Sequence, residues 1–156
     1  YKHNINRFDV ARYFILYTYG GLYADMDYYC SRNFFEFLDK NKVTIVESPY
    51  KQNENLQNSL MASPKGHPFW KDVIDEILVS TNKSSAIDVS GPRVLDRTHQ
   101  NNNNLKNKKL LSFKLFNPKL DSDDFNLKEN YSKHYLTTVW GTANSYSINK
   151  RDKYFK

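Results

Sequence analysis

Residues 7–27 read RFDVARYFILYTYGGLYADMD, and this stretch decides the architecture. Apolar and aromatic side chains fill 7–19, interrupted by Asp9 and Arg12. Asn6 is placed to cap the start of a helix, and Gly20-Gly21 to stop it, because glycine accepts the left-handed conformation that follows a last turn. A mostly buried helix over 7–19 is therefore expected, turned by the glycine pair into a short strand at 22–27. That strand ends in Asp25-Met26-Asp27.

Outward from this unit, the chain alternates between helical and extended patterns. Residues 34–39 suggest a short helix, KVTIVE at 42–47 a β-branched strand, and 60–62 another short strand. Phe69, Val73, Ile74, Ile77 and Leu78 share one face of a helix expected over 68–79. Ser90-Gly91-Pro92 opens a helix running to about 99, with proline where its missing N–H costs nothing. NNNNLKNKK at 101–109 reads as a low-complexity loop. A strand at 110–116 ends at Asn117-Pro118, 119–132 is an irregular polar loop, and 134–140 is a short strand before a polar tail. No internal repeat or linker divides residues 1–156, so a single α/β layered domain is expected.

Composition narrows the class. A chain of 156 residues with 39% hydrophobic and 15% aromatic residues buries a substantial core, which excludes an intrinsically disordered chain. No apolar run approaches the roughly 20 residues of a membrane span, and no charged start with an apolar run and cleavage site marks a signal peptide. The single Cys30 forms no internal disulfide. The net charge of +6 comes from 17 Lys and 6 Arg spread along the chain beside 18 Asn, a Lys/Asn bias that A+T-rich coding also produces. The aromatic residues concentrate in the first helix and do not alternate with basic residues on strands, so no nucleic-acid partner is expected. Sequons at Asn82 and Asn130 occur at the frequency chance supplies.

The acidic pair is the chemical candidate. Twelve Asp residues yield about one D-x-D by chance, and a second stands at Asp121-Ser122-Asp123. Asp121 lacks an apolar lead-in, whereas Asp25 and Asp27 end an apolar strand, where positions i and i+2 face the same way. Two carboxylates aimed together repel unless a cation or donors lie between them. Hard oxygen ligands suit Mg²⁺ or Mn²⁺. Two unrelated solvent-facing acids remain the alternative. Asp9 and Arg12, spaced i, i+3 on the preceding helix, form either a local ion pair or part of the same cavity.

Asp9-x-x-Arg12-Tyr13, Leu16-Tyr17 and the run Tyr19-Gly20-Gly21-Leu22-Tyr23-Ala24-Asp25-Met26-Asp27 resemble the signature of DXD-containing sugar transferases, family 32 glycosyltransferases above all. That group includes initiation-specific α-1,6-mannosyltransferases and capsular polysaccharide transferases, and the glucosylating domains of large clostridial toxins share the block. Weaker blocks follow in the family's order: Asn58 to Ser63 with Gly66-His67-Pro68, then Ser90-Gly91-Pro92, then His134 with Trp140.

The resemblance implies a GT-A-type fold with Rossmann-like α/β/α layers, present here in part, since the family's first βαβ unit precedes the D-x-x-R helix. The chain starts at Tyr1 without Met and is expected to be an N-terminally incomplete piece of a longer protein. It implies metal-dependent transfer, with retention, of a sugar from a UDP- or GDP-sugar to a glycan, lipid-linked or protein acceptor. Asp9, Arg12, Tyr23, Asp25 and Trp140 would contact the donor. Asp27, with Asp25 and His134, would hold Mn²⁺ or Mg²⁺, and Asp25 and Asp27 would be the catalytic pair. For His134 a plain surface histidine is the competing reading, and Thr138 and Val139 depart from the family's usual Ser-Trp ending. No nucleophile can be named.

Two other functions compete with this reading. A dehalogenase-type phosphatase needs Thr or Val after its second Asp, where Tyr28 stands here, and carries its motif on a first strand. A non-catalytic sugar- or nucleotide-binding remnant of a transferase is the second. The free Cys30 favours a reducing cytoplasm, with a Golgi-lumenal or membrane-associated location, anchored outside this segment, as the alternative.

Overall fold

The computed structural model describes residues 4–101, 105–119, 122–126 and 128–136. Helix α1 spans Asn4–Tyr19. Gly20 and Gly21 end it with φ of 70° and 94°, and the Gly20 amide donates to Leu16 O at 2.9 Å. A Cβ at Gly20 would sit 2.6 Å from the Lys65 nitrogen and 2.8 Å from Ser63 O, so the stop also lets the chain pass close to its neighbour.

Four strands make the central sheet: β1 (Gly21–Ala24), β3 (Val43–Glu47), β4 (Leu56–Ser63) and β5 (Lys108–Leu111), in the order β1-β4-β3-β5. β4 runs antiparallel to both of its neighbours, while β3 and β5 are parallel. A separate antiparallel ribbon joins β2 (Tyr28–Cys30) to β6 (Ser132–His134). Helices α2 (Pro68–Val79), α3 (Ala86–Val89) and α4 (Pro92–Asn101) complete the larger elements, with a short helical turn α5 at Phe113–Phe116. The expected mixed α/β class holds.

Alternation along the strands divides the core into two layers. Ile45 of β3 and Met61 of β4 pack with Tyr13 and Leu16 of α1, with Trp70, Val73 and Ile77 of α2, and with Val94 and Leu95 of α4. Val46 and Leu60, one residue along in each case, point to the other face and meet Phe34, Leu111 and Phe116. The second layer is aromatic: Phe116 stacks on Tyr131 and meets Phe34 and Phe37 edge-on.

Several expectations need correction. α1 starts at Asn4, and Asn6, expected as its cap, lies inside it at 2% exposure, donating to Ser90 Oγ and Ala86 O. The helix is not mostly buried. Phe8, Phe14, Ile15 and Tyr19 are exposed, while Asn6, Asp9 and Arg12 lie on its buried side with Tyr13 and Leu16. Apolar residues encircle this helix, so apolar content alone did not mark the inward face. The inward face is chosen by polar partners.

β4 is eight residues long and buried throughout, not the three-residue strand expected at 60–62. Gln57, Asn58 and Ser59 broke the apolar pattern, yet each finds hydrogen-bond partners inside the sheet's two covers. The strand expected at 110–116 ends at Leu111, after which the chain coils into α5 and carries Phe116 into the second layer. Lys108 and Lys109 belong to β5 rather than to the 101–109 loop. The last expected strand lies earlier, at Ser132–His134, and residues 137–140, Trp140 among them, fall outside the described residues. No helix among the described residues is long and apolar enough to cross a membrane.

Candidate active site

The strand into the acidic pair stops at Ala24, three residues short of Asp27, so the expected strand periodicity does not act on both acids. Asp25 leaves the strand, its amide held by Ser59 O at 2.8 Å, and Asp25–Tyr28 closes a turn through Tyr28 N–H to Asp25 O at 2.9 Å. The turn, not a shared strand face, brings the two carboxylates to one side, and it throws the intervening Met26 fully into solvent.

β2 follows the turn directly, and its pairing with β6 sets Tyr28 opposite His134. His134 therefore reaches the acidic pair across 107 residues of sequence, with Nε2 3.0 Å from Asp27 Oδ1 and 3.7 Å from Asp25 Oδ2. Tyr28 stacks on the imidazole at 5.3 Å between ring centroids. Ligand atoms of Asp25, Asp27 and His134 all lie within 4.8 Å of one another. Two carboxylates with one imidazole form a donor set that suits a divalent ion such as Mn²⁺.

Behind Asp25 lies a buried polar network. Arg12 Nη1 donates to Asp25 Oδ1 and to the Asn58 carbonyl, each at 2.9 Å, and its Nη2 lies 3.3 Å from Asp9 Oδ1. Tyr23 OH donates to the same Asp25 Oδ1 at 2.6 Å, and the Arg12 guanidinium lies over the Tyr23 ring. Asp9 accepts from Asn58 Nδ2 at 2.9 Å and from Ser90 Oγ at 3.1 Å. Asn58 Nδ2 also donates to Tyr13 OH, which in turn donates to Ser90 O.

Burial sets the electrostatics. Asp9, 4% exposed, has its pKa raised to about 6 by desolvation, against the pull of Arg12, Ser90 and Asn58. Desolvation also works against the Arg12 charge, but the Asp25 and Asp9 carboxylates prevail and hold its pKa above the ordinary value. Burial, then the hydrogen bond to Asp25, raises the Tyr23 phenol. Asp25 is thus asymmetric: Oδ1 is committed to Arg12 and Tyr23, and Oδ2 faces His134.

Of the residues singled out from sequence, Asp9, Arg12, Tyr23, Asp25, Asp27 and His134 lie in one contiguous assembly. Trp140 is outside the described residues, as is Asp121 of the second D-x-D. Tyr13, Tyr28 and Asn6 join the site without being expected there from sequence, and Ser90, expected as a helix start, also lends its hydroxyl to Asp9. Their only local signal was aromatic or polar character beside residues already suspected.

Known proteins point the same way. A family described as "Glycosyltransferase sugar-binding region containing DXD motif" matches residues 1–48. Inositol phosphoceramide mannosyltransferase 3 of Schizosaccharomyces pombe is 42% identical over 74 residues, 47% of this chain and 20% of the relative. Inositol phosphoceramide mannosyltransferase 1 of the same yeast is 36% identical over 77 residues, 49% of this chain and 23% of the relative. The matched stretches thus span about a fifth of these relatives' lengths. Among solved structures, the PaToxG glycosyltransferase aligns with a TM-score of 0.55 at 19% identity, covering 65% of this chain and 37% of that one, which shows a shared fold. Residues 1–48 of this chain thus match the glycosyltransferase sugar-binding region that contains the DXD motif.

Proposed function

We propose that the chain forms the donor site of a metal-dependent transferase that moves a sugar, with retention, from a nucleoside diphosphate sugar to an acceptor. The observation that carries this reading is the convergence of Asp25, Asp27 and His134 within 4.8 Å at the end of the strand where the family motif falls. Asp27 and Asp25 Oδ2 would hold the cation from one side and His134 Nε2 from the other. A divalent ion bound there would offset the negative charge that builds on the diphosphate as the sugar leaves.

The chain's own residues set the geometry. Arg12 and Tyr23 fix Asp25 by its Oδ1, so Oδ2 is directed without side-chain reorganisation when a ligand arrives. Asp9 and Arg12 form the wall behind Asp25 on the donor side, and Tyr23, half-buried beside them, borders the nucleoside. Mannose is the first sugar to try, because the relatives carry mannosyltransferase names. Those names also specify inositol phosphoceramide, which favours a lipid-linked acceptor over a free glycan or a protein.

Calorimetric titration of UDP- and GDP-sugars with and without Mn²⁺ tests the reading, using this chain and Asp27→Ala. Binding that requires both the metal and Asp27 is expected. Sugar-nucleotide binding that survives both removals would overturn it.

A further inference from the structure

β4 serves the acidic pair from both of its faces. Asn58 points toward α1 and anchors Asp9 and Arg12 behind Asp25. Gln57, the preceding residue, points the opposite way and accepts from Asn117 Nδ2 at 2.8 Å through its Oε1, which also accepts from Ser59 Oγ at 2.8 Å. Asn117, 1% exposed, follows α5 and turns its Oδ1 toward β6. That oxygen accepts from the His134 backbone amide at 3.1 Å and from Lys133 Nζ at 3.0 Å. Lys133 is itself 1% exposed and also donates to Pro118 O.

The placement of His134 needs such an anchor. Among the described residues its buried Nδ1 has no hydrogen-bond partner, so none of them supplies the acceptor that usually fixes the ring of a metal-binding histidine. Away from the acidic pair itself, the ring is held by the Tyr28 stack and by where its backbone sits. β6 is three residues long and pairs on one edge with β2. Its other edge offers the His134 amide, and Asn117 takes it.

We propose that Asn117, braced by Gln57 and Lys133, is a positioning residue for the cation site: it fixes the β6 backbone so that His134 Nε2 stays against Asp25 and Asp27. This rests on the cation reading given above. β4 then holds both halves of the site, Asp25 through Asn58 and His134 through Gln57, and their separation is set by one rigid strand.

The test is Mn²⁺ affinity, read by electron paramagnetic resonance, together with the imidazole resonances of the metal-free protein. Asn117→Ala is expected to weaken Mn²⁺ binding by about 10-fold, the usual scale for groups that orient a ligand, and to move the His134 ring resonance. Ser63→Ala, which removes the buried partner of Trp70 Nε1, controls for general loss of stability and should leave both readouts in place. Asn117→Asp keeps the acceptor for His134 and Lys133 but loses the donor to Gln57 Oε1, so its His134 resonance is expected between those of the wild type and Asn117→Ala. In a His134→Ala background the Asn117→Ala effect on Mn²⁺ should vanish.

An Asn117→Ala effect that persists without His134, or an unmoved His134 resonance, would overturn the proposal. Should Asn117→Ala fail to fold, Gln57→Leu frees the Asn117 side chain from its brace, and a His134 shift in the same direction is expected. If the wild-type chain binds no Mn²⁺ at all, the cation reading falls, while the metal-free resonance still decides for or against Asn117 as the residue that places His134.

Discussion

Arg12 and Asp25 are joined at 2.9 Å through a single carboxylate oxygen, while the other oxygen of Asp25 faces His134 at 3.7 Å. The division matters because the two sides have different tasks. One oxygen is locked by a cation that cannot lose its proton, held in turn by the Asn58 carbonyl and Asp9. The other belongs to the cluster with Asp27 and His134. A carboxylate fixed in this manner is set in place before any ligand arrives, which is how an electrostatic site gains its effect.

Arg12→Met is expected to destabilise the fold by on the order of 3 kcal/mol, because it leaves Asp9 buried without its charge partner. Arg12→Lys should recover only part of this, since one ammonium cannot reach Asp25, the Asn58 carbonyl and Asp9 together. Urea denaturation of the three proteins at pH 7 measures both effects.

Asp9 makes stability depend on pH in an unusual direction. Its folded-state pKa, raised to about 6, lies above the ordinary value of 3.8. The folded form therefore binds the extra proton between these values, and stability from this group is fullest below pH 3.8 and is lost as pH rises through about 6. The change amounts to roughly 3 kcal/mol. Unfolding free energies from pH 4 to 7 should carry this component in the wild type and lack it in Asp9→Asn.

The two glycines after α1 should respond differently to alanine. At Gly20, positive φ is combined with a Cβ position 2.6 Å from a backbone nitrogen, whereas at Gly21 the space is open and only φ is strained. Gly21→Ala should cost about 1 kcal/mol. Gly20→Ala should cost clearly more, because the backbone at Ser63 and Lys65 must shift. Thermal melts of the pair give the comparison, and equal losses would contradict it.

Much of this site was legible because its front half is local. Asp9, Arg12, the glycine stop and the acidic pair lie within 19 residues, and the motif resemblance carries them together. The polar core was not legible. Asn6 was expected as a cap, and the strand expected at 60–62 left out Gln57 and Asn58, because the partners that satisfy these three stand far off in sequence at Ser90, Asn117 and Asp9. α1 also misled by composition, since Phe8, Phe14 and Ile15 outnumber the apolar residues that it buries. Hydrogen-bond satisfaction, which sequence periodicity does not register, chose its inward face.

Sub-stoichiometric Mn²⁺ added to the protein, with loss of the histidine ring resonances followed by nuclear magnetic resonance, tests the central claim most directly. The His134 ring faces Asp27 and Asp25, whereas His67 caps α2 and His99 lies in the last turn of α4. Paramagnetic broadening is expected at His134 first, with His67 and His99 still sharp, and is expected to disappear in Asp27→Ala. Broadening that begins at His67 or His99, or that leaves His134 untouched, would contradict a cation site made by Asp25, Asp27 and His134.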